Sequence, residues 1–535
     1  MLLSLLITVF RIIVLPVGFE DRPFVQTQQE VRTETERIRQ YFARQFGDAQ
    51  DFRVDPAPAV LLPRPVSWYG ANRPDRKDLR LGDAVREACR LAAERQVDFS
   101  GCDLVCLLYP GPGEDESGAG NDIWPQYGLL SAGGNPVGIG GTRIDRYIAC
   151  PAGRPGIFAH ELGHALGLPD LYDTDGTASG GRTRGLWGIS LMDEGCKAER
   201  IPDFTAVEYD RLGLGSCDTL RAGTTYSLAP LQSGRRYAKI LTEREGEYFL
   251  LEARDGGLLV FHVDRSDAPA GYSERLGAEL TARERWEHDA VNDNPDHPCA
   301  RIIPAYPAAA AIGEALFPRP GLTSFGSDTP AQMRSWSGRA PGLALTGIRT
   351  DAGGTVSFEV IEPLALTELT VYQDAAVLRW RVAEGLETLG YELRWSDGTE
   401  DFSRDLAADA LSCTLEGLRP QTGYNFSLLL RGVGSDRFSV GDKFVTKVLH
   451  SGSYPYIYLN GAMRNADGSF PAGSRLPLRV FNAAGAQRIR WTFDGTLLVP
   501  DADGSCVLSR SGLLRAELFY DDGTSESIFK QIVVR

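Results

Sequence analysis

Within His160-Glu161-Leu162-Gly163-His164, two imidazoles stand four residues apart and a carboxylate directly follows the first. On a helix that spacing puts both rings on one face, where they can grip a single metal ion while Glu161 reaches a water on it. Zinc suits such a site. It takes neutral imidazole nitrogen, keeps one position open in catalytic centres, and lowers the pKa of its water from ~16 toward ~7. A carboxylate alongside can then take the proton. The chemistry these residues support is metal-assisted hydrolysis, with His160 and His164 as ligands and Glu161 as the base.

Gly167, three residues past the second His, suits the left-handed turn that ends a helix, and Pro169 forbids its continuation. The chain must double back, which brings Asp170 round as a third ligand. Asp173 follows the same turn and competes for that place; Asp170 is preferred because Pro169 helps aim it. This is the extended metzincin spacing with Asp where a third His is usual, which adds a negative charge at the metal. Downstream, Gly185 to Gly195 is a glycine-bounded turn carrying Met192, one of only four Met in the chain. Metzincins place such a Met-turn beneath the metal as an apolar floor. The bland alternative is an amphipathic helix with packed His and a gap-filling Met. Phe158, Leu162 and Leu166 already supply the apolar face of that helix, which favours the metal site.

Ala159 to Asp173, the Trp187 to Gly195 turn and the loop from Gly113 to Pro125 together resemble the immune inhibitor A family of secreted bacterial zinc endopeptidases. Similar too are Phe10 to Phe24, a strand entering an Asp-Arg-Pro-Phe turn, and the runs Glu247 to Glu252 and Gly257 to Asp264. The resemblance covers roughly residues 8 to 360. It implies Zn2+, protein or peptide substrates and an extracellular or cell-surface location. Calcium rests mainly on the same resemblance: the acidic loop Gly111 to Asp122 follows no EF-hand spacing, and Asp173-Thr174-Asp175-Gly176 begins like a calcium loop but has Arg184 where the closing Glu belongs.

A length of 535 residues allows about three or four domains, and a hydrophobic content of 43% is that of an ordinary soluble protein. The net charge of −15 argues against nucleic acid or an anionic membrane as partner. Nine thinly spread Cys form no disulfide framework, although a few bridges are allowed; Cys102 and Cys106 read as buried thiols. The run Met1 to Leu15 lacks a basic start and a small-residue cleavage site, and Arg11 interrupts it. Most of it reads as a buried first strand, its opening leucines a possible remnant of a signal that begins upstream.

The elements that must position the motif alternate: a helix over Thr27 to Gln45, another over Leu81 to Gln96, and a strand over Cys102 to Tyr109, which together give an α/β layer. Val137-Gly138-Ile139 is expected to be the edge strand along which a peptide substrate aligns. From Thr224 strands dominate, with His262 a core residue and His288 and His297 on the surface. Tyr209 is the nearest candidate to steady an oxyanion, although a packed Tyr is its ordinary fate. The expected architecture is an α/β metzincin-like zinc peptidase domain with a β-rich extension over residues 1–362, then two all-β immunoglobulin-like sandwiches. The first of these, 363–447, is fibronectin type III-like, with Tyr424 pinning a corner; the second is 448–535.

The function that follows is a monomeric zinc endopeptidase whose C-terminal domains engage cell-surface or extracellular-matrix ligands. Two alternatives stand beside it. One is a non-catalytic adhesin on a degenerate peptidase scaffold, against which the intact His160, Glu161 and His164 weigh. The other is a zinc aminopeptidase, for which the sequence identifies no acidic group to seize the substrate amine.

Overall fold

The computed structural model describes residues 9–73, 77–434, 436–447, 455–459, 462–465 and 468–535. The opening leucines read as a signal remnant, and the junction around 448, lie outside the described residues. The chain forms two compact units, the first running to Val360 and the second consisting mainly of Ile361–Arg535.

The first unit is built on a six-stranded sheet of β1 (Val9–Gly18), β2 (Asp51–Pro56), β3 (Val60–Leu61), β4 (Leu104–Tyr109), β5 (Gln126–Leu129) and β8 (Arg146–Pro151), in the order β2-β1-β4-β8-β5, with β3 pairing the end of β1. All pairs are parallel except β5 with β8. A parallel sheet covered on both faces demands continuous apolar runs, and β4 is buried at every position. The two-residue period sends Ile12, Val14, Cys106 and Ile148 to one face with α1 (Gln28–Phe46) and α3 (Pro155–Ala165). Ile13, Leu15, Leu107 and Ala149 go to the other face with α2 (Leu81–Glu94). Arg11, which interrupts the first apolar run, is buried because Asp55 pairs with it at 2.8 Å and the carbonyls of Asp98 and Ser100 accept its remaining donors.

The expected edge strand at Val137–Ile139 is elsewhere. These residues form β6, paired only with β7 (Thr142–Ile144) in a hairpin outside the main sheet. The cause is the turn: Gly140 and Gly141 both take positive φ (55° and 86°), the geometry that folds a strand straight back on itself. The open edge beside α3 is β5 instead.

After α4 (Ala206–Leu212), a five-stranded sheet follows in the order β16-β13-β12-β11-β9, with β9 (Ser216–Thr219), β11 (Arg236–Leu241), β12 (Glu247–Arg254), β13 (Gly257–Asp264) and β16 (Ala300–Ile302). Thr224–Leu228 (β10) pairs with the strand Val356–Ile361. The hairpin β14 (Pro269–Ser273) and β15 (Ala278–Thr281) leads into α5 (Ala282–Glu287), which starts with a Thr281/Glu284 capping box. His262 is in the core, its Nε2 2.9 Å from Glu247. His297 is more enclosed than expected, bonded to Asp264 at 2.9 Å and stacked on Trp336, while His288 is exposed.

The second unit is all β. Residues 364–445 make a three-stranded and a four-stranded sheet around Trp380, Tyr391, Leu393 and Leu428. Tyr424 Oη accepts the Arg419 N–H at 3.0 Å, which pins the turn before its own strand. Residues 456–532 have a separate core around Trp491, Phe493, Leu514 and Leu518. All nine cysteines are free thiols.

Candidate metal centre and catalytic cleft

Helix α3 begins with Pro155 at its first turn and ends at Ala165, whose carbonyl is capped by Arg146. Gly167, at φ 101°, reverses the chain, and the Leu168 amide returns to Gly163 O. That reversal does two things. It turns the Leu168 carbonyl onto His164 Nδ1 at 2.9 Å, and it carries Asp170 back under the helix. On the other ring, His160 Nδ1 faces Leu191 O at 3.0 Å, in the turn that carries Met192.

A carbonyl only accepts, so both rings hold their proton on Nδ1 and present bare Nε2 atoms inward. Asp170 Oδ1 lies 3.0 Å from His160 Nε2 and 3.4 Å from His164 Nε2. No other hydrogen-bond donor among the described residues is directed at that oxygen. Three buried lone pairs converging without a cation repel one another, so this triangle, whose ligand atoms lie within 4.8 Å of each other, fits a metal ion. In the metal-free protein a proton serves instead. Burial disfavours charged rings, yet hydrogen bonding to Asp170 prevails and raises both imidazoles, His164 to about 8. Asp170 is held well below the usual carboxylate range, although burial alone would raise it. Uptake of a metal ion by these nitrogens would displace that proton. At pH 7 titration of chelator-stripped protein with zinc should therefore release protons, read as a dependence of the binding heat on the buffer's ionisation enthalpy. A heat independent of buffer would contradict this.

Glu161 is buried beside the pair. Burial raises its carboxyl pKa, while the two imidazoles and the Tyr127 amide pull the other way. A carboxylate held above its ordinary range is a better base. Tyr127 belongs to β5, so the open strand edge runs directly past this carboxylate.

The Met192 turn is organised by Asp193, whose Oδ2 accepts the Leu186 and Gly188 amides, and by Ser190, whose Oγ accepts the Met192 amide at 3.0 Å. Met192 packs against the metal helix where it has no side chain: a Cβ at Gly163 would stand 2.6 Å from Met192 Sδ. Gly163→Ala should therefore overpack this contact and cost about 1–3 kcal/mol, measured as a lower chemical-denaturation midpoint. Stability equal to wild type would mean that Met192 moves aside freely.

Two cavities meet at His160 and Glu161. One is an open trough of about 630 Å³ walled by Trp124, Tyr127, Pro169, Arg211, Trp286 and Asp289. The other is smaller, about 140 Å³, and reaches Ile157, Cys196 and Lys197. Tyr209 lines neither: it is buried, its hydroxyl donating to Gln45 at 3.1 Å. Tyr172, not singled out from the sequence, lines both and stacks on His160 with ring centres 6.3 Å apart. Its place two residues past Asp170 was the only available signal.

The acidic loop is spent on ion pairs: Asp115 with Arg154, Glu114 with Lys77, and Asp122 with Arg22. Asp173 braces its own loop, accepting the Gly176 and Thr183 amides at 2.8 Å each. With Asp175 and Asp293 it forms a second carboxylate group whose oxygens lie within 4.8 Å of one another.

Part of the chain is similar to known proteins. Residues 135–211 match the family model described as "Immune inhibitor A peptidase M6, catalytic domain". Immune inhibitor A of Bacillus thuringiensis subsp. alesti is 26% identical over 231 residues, 36% of this chain and 32% of that protein. The pre-pro-metalloprotease PrtV of Vibrio cholerae serotype O1 is 27% identical over 202 residues, 31% of this chain and 22% of that protein. The match thus spans about a third or less of either relative. Among solved structures, an fn3 domain of human collagen alpha-1(XX) is 21% identical, covering 17% of this chain and 84% of that domain with a TM-score of 0.15. A redesigned β-sandwich protein is 24% identical, covering 16% of this chain and 94% of its own with a TM-score of 0.15. The family match spans the metal helix, the Asp170 turn and the Met192 turn, so this part of the chain is similar to the catalytic domain of immune inhibitor A-like metalloproteases.

Proposed function

We propose that the chain is an extracellular zinc endopeptidase that hydrolyses peptide bonds in proteins. The observation that carries this reading is the convergence of His160 Nε2, His164 Nε2 and Asp170 Oδ1 beside a buried Glu161 at the meeting point of the two cavities. Bound zinc would polarise a peptide carbonyl and acidify a water. His160, His164 and Asp170 would hold it, with Leu191 O and Leu168 O fixing the two rings. Glu161 takes a proton from the attacking water at its carboxylate and passes it to the leaving amide nitrogen. The β5 edge, half-exposed and paired on one side only, supports an extended substrate lying as an added strand. Tyr172, which lines both cavities, is the candidate to steady the reacting carbonyl.

Two cavities that meet at His160 and Glu161 favour cleavage within a chain over removal of single N-terminal residues. Zinc content together with the cleavage positions in denatured casein tests this. Internal cuts by zinc-loaded protein are expected; release of N-terminal residues alone would support the aminopeptidase, and no cleavage the adhesin. A calcium ion of the kind the resemblance implies would belong with Asp173, Asp175 and Asp293. Among the described residues no helix is long and apolar enough to cross a membrane. Every group in the proposed chemistry precedes residue 362, so residues 1–362 alone should fold and cleave short peptides. A soluble but inactive truncation, beside active full-length protein, would show that the second unit is required.

A further inference from the structure

Asp170 sits on a stretch, residues 167–174, that has neither helix nor strand. A ligand on such a loop is only as well placed as the loop itself. A second loop, residues 289–293, grips it bond by bond. The Asp170 N–H donates to Asp289 Oδ1 at 2.6 Å, and Asn292 Nδ2 donates to Leu171 O at 2.8 Å. Thr174 donates through Oγ1 to Asp289 O at 3.2 Å, and through both Oγ1 and its amide to Asp293 Oδ1 at 2.8 Å. The second loop is itself anchored. Fully buried Arg285 donates to the carbonyls of Ala270, Gly271, Tyr272 and Ala290, and Arg275 to those of His288 and Asp289. Asp289 takes φ 57°, a left-handed conformation that persists in a non-glycine residue when bonds on both sides determine it.

We infer that Asp289 is a positioning residue for the proposed metal centre: its carboxylate, acting through the amide of Asp170, sets where the third ligand lies. This rests on the metal reading above. The bond is made to the ligand residue itself and its acceptor is a carboxylate, the stronger class of hydrogen bond. Outer partners of this kind typically cost about 10–100-fold in metal affinity when lost.

Two replacements separate the acceptor from the backbone. Asp289→Gly accepts the positive φ and removes the oxygen; Asp289→Asn tolerates that φ and keeps an oxygen acceptor. Full-length, chelator-stripped protein would be titrated with zinc against a competing chelator, and its cobalt(II) absorption spectrum recorded. Asp289→Gly should bind zinc about 10–100-fold more weakly, with a shifted cobalt spectrum, while Asp289→Asn stays within a few-fold of wild type. A purely structural role would lower the melting temperature without moving the spectrum. Thr174→Val loosens the same clamp from the opposite loop, and it should weaken zinc binding by a smaller factor even if Asp289→Gly fails to fold. Wild-type affinity and spectrum in Asp289→Gly, or equal losses in the Gly and Asn variants, would overturn the inference. A wild-type protein that takes up no zinc would overturn the metal reading, and this inference with it.

Discussion

Glu161→Gln should leave zinc content and thermal stability unchanged and lower peptidase activity by about four decades, the upper end of general-base effects of ~10²–10⁴. The substitution is nearly isosteric, and it leaves both imidazoles and Asp170 in place. What it removes is the carboxylate that follows His160 on the metal helix and stands beside both imidazoles without being part of the triangle. Burial holds that carboxyl above its ordinary range, which makes it a stronger base than an exposed carboxylate, and an amide cannot take the proton at all. Activity on a casein-type substrate, measured beside metal analysis of the same preparation, checks both halves. Wild-type turnover in a zinc-loaded Glu161→Gln protein would sink the mechanism.

What could be seen in the sequence divides by distance along the chain. The spacing of His160, Glu161 and His164 and the Gly167–Pro169 reversal are local signals, and the reversal occurs where the left-handed Gly167 permits it. The tyrosine corner is equally local, since Tyr424 bonds to an amide five residues away. The apolar runs of β1 and β4 were legible because a strand buried on both faces has no polar face to hide. The clamp on Asp170 was not, because Asp289 lies 119 residues beyond it and a lone Asp in an Asp/Asn/Pro stretch looks like a surface loop. The choice of edge strand failed for a different reason. Val137-Gly138-Ile139 has the composition of a strand, but composition does not say which strand it pairs with; Gly140 and Gly141 decided that locally, in favour of a hairpin. β5 carries no comparable apolar pattern, and its position follows from its antiparallel pairing with β8. The acidic loop shows the same limit, since Arg154, Lys77 and Arg22, which consume its charge, come from separate segments.

Asp170→Ala should abolish tight zinc binding, while Asp173→Ala should keep stoichiometric zinc and lose stability. The two carboxylates lie three residues apart after the same turn, yet their surroundings differ. Asp170 Oδ1 faces two bare imidazole nitrogens at 3.0 and 3.4 Å. Asp173 spends Oδ1 on the Gly176 amide and Oδ2 on the Thr183 amide, so both its oxygens already hold backbone donors. Removing Asp170 leaves two protein ligands where a catalytic zinc needs three, so affinity should fall by more than the about 10–100-fold typical of an outer partner. Asp170→His restores a third donor of the type usual at this position and should recover metal binding, giving a gain of function that a merely damaged loop would not show. Removing Asp173 takes the acceptor from two part-buried amides, at a cost of at most about 1–3 kcal/mol each, which should appear as a lower melting temperature of the zinc-loaded protein. Metal analysis after dialysis decides between the two: zinc retained by Asp170→Ala and lost from Asp173→Ala would reverse the assignment.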